Sequence, residues 1–394
     1  IIIIKLQLLI MENNFKMIAT TFYGMEEILA KELLDLGAQE IKKGNRSVSF
    51  KGDKGFMYKV NLCIKTALKI LKPIFSKKIH NNNELYRIFY DFPWEKLLST
   101  DKTFVIESTV FGNVFTHSKY VSLRAKDGIV DRFKKKFNSR PSISVNDPDL
   151  IINIHITNNL CDISINSSGS NLNQRGYRKS TNIAPINEVL ASGIIKLTGW
   201  NGNCNFLDPM CGSGTFLIEA AIIAGNIPAN LNRKKFGFNR WKDWDLNLFN
   251  LIKNSQLKKI KKININIFGY DKSPSAIIKS KENIESVNLN SNIKVFQKDF
   301  FKSKKQGSDP LHIVTNPPYG ERLKGDINSL YSKIGDSLKL SFSNTNFWFI
   351  SSNFEAMKHF GLRPSRKIKL FNGKLESRLL FFPIYEGTKR IHKK

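Results

Sequence analysis

The residues whose types and spacing most clearly do chemistry are Asn316-Pro317-Pro318-Tyr319. They follow Leu311-His312-Ile313-Val314, an apolar run that reads as a buried parallel strand. The prolines end that strand abruptly, because neither can donate a ladder hydrogen bond. An amide, a proline carbonyl and an aromatic ring are thus presented at a strand's carboxyl end, where open α/β sheets bind ligands. The amide oxygen and the carbonyl can accept both hydrogens of a planar NH2 group while the ring stacks on its base. The chemistry suggested is methyl transfer to an exocyclic amine. A plain proline-rich turn is the alternative for the tetrapeptide alone.

A methyl donor needs its own cradle. Asn205-Phe206-Leu207-Asp208 reads as a strand, Pro209-Met210-Cys211-Gly212-Ser213-Gly214 as a glycine-rich turn, and Thr215 as a helix start. Gly212 and Gly214 let a ligand approach the backbone where a side chain would clash. Asp208 is placed to receive a cationic amino group. No Lys-Ser/Thr follows the last glycine, so this is not a P-loop, and the spacing is not GxGxxG. A nucleoside with an amino-acid arm and no phosphate chain suits the turn better, which describes S-adenosylmethionine. Asp271 ends the next strand and is placed to accept both ribose hydroxyls, with Lys272 beside it. Asp299 follows a third strand and would take the adenine amino group, while Phe300 packs on the ring. Asn316 borders the same site. No cysteine nucleophile is required, so Cys211 reads as a small packing residue of the cofactor turn.

The elements that must position these residues alternate strictly after about residue 185. The pattern predicts helix 187–200, strand 204–208, helix 215–225, strand 265–270, helix 274–287, strands 293–298 and 311–315, helix 329–341 and strand 346–351. A terminal hairpin near 367–385, turning at Asn372-Gly373, completes the series. Such alternation implies an α/β doubly wound, Rossmann-like sheet with a largely parallel core. The first part of the chain is instead an α+β module. It reads as strand 15–22, helix 25–36, strand 47–51, helix 55–71, an extended stretch near 85–90, strand 104–110, helix 118–137 and a hairpin over 150–165. The helix at 118–137 carries Lys119, Arg124, Lys126, Arg132 and Lys134-Lys135-Lys136, a basic face suited to docking a polyanion. The Ser-, Asn- and Gly-rich stretch 166–173 marks the boundary.

Composition points the same way. The 394 residues hold 62 Lys+Arg against 33 Asp+Glu, a net charge of +29, which favours nucleic acid and salt-sensitive binding. The four cysteines and six histidines are scattered without metal-ligand spacing, so neither zinc nor a disulfide framework is indicated, and a reduced cytoplasmic compartment fits. The apolar run at residues 1–10 is too short to span a bilayer and has no cleavage site, which suggests upstream read-through before Met11. One insertion, Arg233-Lys234-Lys235-Phe236 to Arg240-Trp241-Lys242-Asp243-Trp244, interleaves bases with aromatics. It suits single-stranded RNA or, equally, packing on the domain.

Asp208 to Thr215, Asp271, Asp299 and Asn316 to Arg322 resemble class I S-adenosylmethionine-dependent amino-methyltransferases. Arg175-Gly176-Tyr177-Arg178, Ala184 to Glu188 and Gly199-Trp200 resemble one subgroup, the THUMP-domain RNA guanine-N2 methyltransferases, and within it the branch acting on bacterial 23S ribosomal RNA. The resemblance implies a seven-stranded methyltransferase domain at 187–394, preceded by a ferredoxin-like segment at 14–54, a THUMP-like RNA-binding domain at 55–165 and a linker at 166–186, with residues 1–13 an extension. It implies that Asn316 and the Pro317 carbonyl orient guanine N2 while Tyr319 stacks on a flipped-out base. Lys119, Arg124, Lys134, Lys135, Arg175, Arg178 and Arg322 are the expected RNA contacts. The sequence ends after one catalytic domain, so the 7-methylguanosine activity fused to some members is not expected. A transfer RNA guanosine-N2 methyltransferase shares both modules and is the nearest alternative. A DNA amino-methyltransferase, a protein-glutamine methyltransferase and a non-catalytic ribosome assembly factor are the more distant ones.

Overall fold

The computed structural model describes residues 14–179, 185–318, 326–373 and 375–386. Residues 1–10, Tyr319 and Arg322, on which expectations were placed, lie outside the described residues. Among the described residues no helix is long and apolar enough to cross a membrane.

The first module is built on β1 (Phe15–Thr20), β2 (Gln39–Gly44), β3 (Ser47–Gly52), β4 (Lys69–Lys78), β5 (Thr103–Phe111), β6 (Ser142–Ile143), β7 (Leu150–Thr157) and β8 (Leu160–Asn166). They form one eight-stranded sheet in the order β2-β3-β1-β4-β8-β7-β5-β6. Strict alternation fixes the buried face of β7, where Leu150, Ile152, Ile154 and Ile156 all point into the core. The sheet is covered by α1 (Glu26–Leu36), α2 (Lys54–Cys63), α3 (Asn82–Asp91) and α4 (Ser118–Phe137).

Two expectations are corrected here. The helix expected over 55–71 stops at Cys63: Ile64 is extended at the C-cap, and Lys69 already belongs to β4. The extended stretch near 85–90 is α3. Its start is fixed by Asn81, whose side chain accepts from the Asn83 and Glu84 amides at 3.0 and 2.9 Å, and Glu84 accepts back from the His80 amide. Leu85, Ile88 and Phe89 then lie on one buried face at helical spacing.

The second module contains β9 (Asn205–Asp208), β10 (Ile267–Asp271), β11 (Ile293–Gln297), β12 (Leu311–Thr315), β13 (Thr345–Ser351), β14 (Arg366–Asn372) and β15 (Leu375–Ile384). Their order is β11-β10-β9-β12-β13-β15-β14, with β9 to β13 parallel and the final hairpin inserting β15 antiparallel to β13. The helices α5 (Glu188–Leu197), α6 (Thr215–Ala224), α7 (Leu246–Leu257), α8 (Pro274–Glu285) and α9 (Ile327–Ser341) complete it. This is the expected doubly wound architecture. Its chain order reverses between β9 and β12, so the crevice for a ligand opens between the carboxyl ends of those two strands.

The modules meet along a seam of buried charge. Glu32 of α1 accepts from the Thr66 hydroxyl at 2.6 Å and lies 3.8 and 3.9 Å from Lys65 and Lys196. Burial alone would raise its pKa, yet the two lysines and the Thr66 hydrogen bond hold it below the ordinary value. Arg175 crosses the same seam. Its guanidinium donates to the Ile64 and Lys65 carbonyls of the first module, to the Leu172 carbonyl, and to Asn230 and the Glu219 carboxylate of the second. The insertion at 233–244 also packs. Trp244 and Phe238 lie against Tyr58, and Arg240 pairs with Asp147 at 2.6 Å.

Candidate active site

Four strand ends and one turn line a cavity of about 480 Å³, within the range of small-molecule sites. Gly212 and Gly214 of the turn have φ of 52° and 81°, in the left-handed region that favours glycine. A Cβ on Gly214 would stand 3.2 Å from the Ser280 Cβ. Asp208, Pro209, Met210, Cys211, Gly212 and Thr215 all line the space, while Gly214 supports the turn from behind. Cys211 is buried, and burial pushes its thiol well above the ordinary range, as expected of a packing residue.

The carboxylates are held by backbone amides of the surrounding loops. Asp208 accepts from the Met210 amide at 3.1 Å and the Thr315 hydroxyl at 2.8 Å. Burial pushes its carboxyl up to about 7. Asp271 accepts from the Gly212 and Ser273 amides at 3.0 and 2.9 Å, which ties the β10 end to the glycine turn. Asp299 accepts from the Phe301 amide and pairs with Lys272 at 3.0 Å. Phe300 is buried against Phe342 and forms part of the wall.

Across the cavity, Asn316 and Pro318 complete the lining, and Pro317 is buried beside them. The Asn316 Oδ1 is buried with no hydrogen-bond partner among the described residues. Orphaned buried acceptors are rare, and one at the mouth of a cavity marks the place of an incoming N–H donor. A flat glycine cradle, successive acids and a waiting amide oxygen suit a nucleoside with a cationic arm on one side and an amine on the other.

A model described as "RMKL-like, methyltransferase domain" matches residues 175–380. The chain belongs to this methyltransferase family. Residues 16–71 match an RlmL ferredoxin-like domain and 80–166 a THUMP domain. The chain is 34% identical over 391 residues to a ribosomal RNA large subunit methyltransferase K/L of Syntrophotalea carbinolica, covering 95% of this chain and 54% of that protein. It thus spans about half the length of the K/L relatives it matches. A putative RNA methyltransferase of Synechocystis is 32% identical, with 93% of this chain and 96% of that one covered. Among solved structures, a putative methyltransferase complexed with SAH superposes with a TM-score of 0.84 at 28% identity, over 95% of this chain and 100% of the other. A possible methylase from Clostridium difficile 630 gives the same score at 29% identity, over the same shares of the two chains.

The RNA contacts expected from sequence divide sharply. Lys119, Lys134 and Lys135 stand exposed on α4, and Arg124 lies 4.4 Å over the Tyr86 ring. Arg175 is the clear correction. It is 1% exposed, with its donors taken by carbonyls and Glu219, so no phosphate reaches it. Arg178 bonds Glu188 at 2.7 Å, the Ile186 carbonyl and the Thr215 hydroxyl, while its Nη1 is buried with no partner among the described residues. It props the cofactor turn.

Sequence reasoning missed Pro185, Ile186, Lys298, Phe301 and Leu330 in the lining. Phe301 adjoins an assigned residue and was within reach. Nothing local in Pro185-Ile186 shows that it lines this cavity.

Proposed function

We propose that this chain transfers a methyl group from S-adenosylmethionine to the exocyclic N2 amine of guanine in 23S ribosomal RNA. The observation that carries the reading is the buried, unpartnered Asn316 Oδ1 at the rim of the cavity. The bound cofactor supplies an electrophilic methyl group. In this reading Asp208 takes its amino group, Asp271 its ribose hydroxyls and Asp299 its adenine amine, with Phe300 against the ring, and all four line the cavity. On the opposite side, Asn316 Oδ1 and the Pro317 carbonyl accept the guanine amine's hydrogens. This orients the nitrogen lone pair and makes it less delocalised. An in-line displacement needs that alignment more than a strong base. The target base must leave its stack to reach the cavity, and Tyr319 is assigned to stack on it.

The THUMP domain and the rRNA methyltransferase relatives support an RNA substrate, and guanine N2 is the choice the motif resemblance supports. Mass spectrometry of ribosomal and transfer RNA nucleosides from a deletion strain tests it. The expected result is loss of N2-methylguanosine from 23S RNA and its return on complementation. Unchanged 23S RNA would sink the reading, and a loss confined to transfer RNA would reassign the substrate.

A further inference from the structure

A second cavity of about 450 Å³ opens between the 354–364 segment and the β14–β15 hairpin, two strands along the sheet from β12. Its walls include Phe354, Met357, Leu380 and Phe382, with Lys358, Lys367 and Arg378 among its lining residues. Strand register places it relative to Asn316. Thr315 of β12 is level with Phe349 of β13, and Phe349 with Leu380 of β15. Arg378 is two residues further along, opposite Ser351. It therefore stands one row beyond Asn316, at the same carboxyl end of the sheet. The two strand spacings between them amount to about 10 Å.

The Arg378 guanidinium lies 4.3 Å over the Phe354 ring, half-buried beneath it. Neither Arg378 nor Lys367 has an ion-pair partner among the described residues, whereas Lys369 is paired with Glu376 and Lys358 with Glu355. Arg363 and Arg366 are exposed on the adjoining segment. An aromatic face, a planar cation and an unpaired ammonium around an open hollow is the combination that receives a base by stacking and its phosphate by charge. The hollow lies outside the cofactor cavity and shares no lining residue with it.

We propose that this hollow is a second nucleotide subsite, holding a single-stranded RNA nucleotide that flanks the one presented to Asn316. Phe354 and Arg378 stack on the base, and Arg378 and Lys367 neutralise its backbone. The subsite rests on the RNA-methyltransferase reading, and it deepens that reading by giving the enzyme a grip on the strand beside the target. Such a grip fixes the register of the strand while the target base is turned out.

The test is the affinity of the whole chain for a single-stranded oligoribonucleotide carrying one guanine among uridines, measured across a salt series. Arg378→Gln and Phe354→Ala are each expected to weaken binding about tenfold, as loss of a stacking partner does. Arg378→Gln should also flatten the log–log salt dependence by about 0.7, one single-strand phosphate contact. Lys294→Gln, which removes the same charge from β11 at the opposite edge of the sheet, is expected to leave affinity and slope unchanged. Affinity for S-adenosylmethionine, measured calorimetrically, should be that of the wild type in all three, which shows that the cofactor domain is intact. Wild-type RNA affinity and slope in Arg378→Gln would overturn the subsite even if the wild-type chain methylates RNA. Weakened binding in that variant, with no methylation of any RNA by the wild type, would keep the subsite and overturn the methyltransfer reading alone.

Discussion

The rim of the cofactor cavity and the seam between the modules both bury polar side chains, and they treat them oppositely. At the seam, Arg175 spends its donors on three carbonyls, Asn230 and Glu219. At the rim, Asn316 presents an acceptor that nothing described satisfies. A buried group satisfied within the chain belongs to the architecture. One left unsatisfied at an opening belongs to a ligand, because its desolvation is offset only when the partner arrives. By that rule Arg175 holds the first module against the second, and Asn316 is the residue that the proposed reaction gives to substrate.

Removing the seam cation should give the largest effect. Arg175→Met leaves Glu219 buried and uncompensated, for which a loss of about 3–5 kcal/mol is expected. A fall in Tm on thermal unfolding reports it, and adding Glu219→Gln should recover part of the loss. An unchanged Tm combined with a shallower salt dependence of RNA binding would restore Arg175 to the RNA surface and break the contrast.

Asn316→Ala is expected to do the reverse. No hydrogen bond within the described chain is lost, so Tm should barely move. Methyl transfer should drop by about 10²-fold or more, the scale on which misplacement of a reacting group acts. Cofactor affinity should stay within about twofold of wild type, well under the 1.4 kcal/mol of a tenfold change. Near-normal turnover would remove Asn316 from the reaction.

The contrast also explains what the sequence disclosed. Asp208, Asp271 and Asn316 were legible because each stands at a strand end within three residues of a glycine or proline, so local sequence fixes its place, whereas Asp299 follows its strand without such punctuation. The alternation of the second module was legible for the same reason. Arg175 was misassigned because its partners are over forty residues and over a hundred residues away, at Glu219 and at Ile64 and Lys65. An arginine in a Gly-rich segment looks the same whether it meets phosphate or carbonyls. The α3 helix was misread despite a local signal, the Asn81 cap with Glu84 three residues on. The outer strand β2, with five of its six residues exposed, carries no apolar alternation to announce it.

Asp208 stands between the two extremes, and the smallest expected effect follows from it. It has partners in Thr315 and Met210, yet burial outweighs them, and its carboxyl is pushed up to about 7, with nearby Asp271 adding to the rise. The ligand-free fold therefore keeps a proton that the unfolded chain, with an aspartate pKa of about 3.9, has released. More protons bound to the folded form means that Asp208 makes stability fall as pH rises from about 4 to about 7. A cation delivered to this carboxylate reverses the balance, since it favours the ionised form and expels the proton. Cofactor affinity should therefore weaken as pH drops below about 7, approaching tenfold per unit, with proton release detectable by calorimetry in buffers of different ionisation enthalpy. Asp208→Asn should flatten that dependence while lowering affinity at neutral pH. A wild-type affinity that stays level through this range would mean that the cofactor's amino group is held elsewhere. Asp208 would then join Arg175 as a residue of the framework.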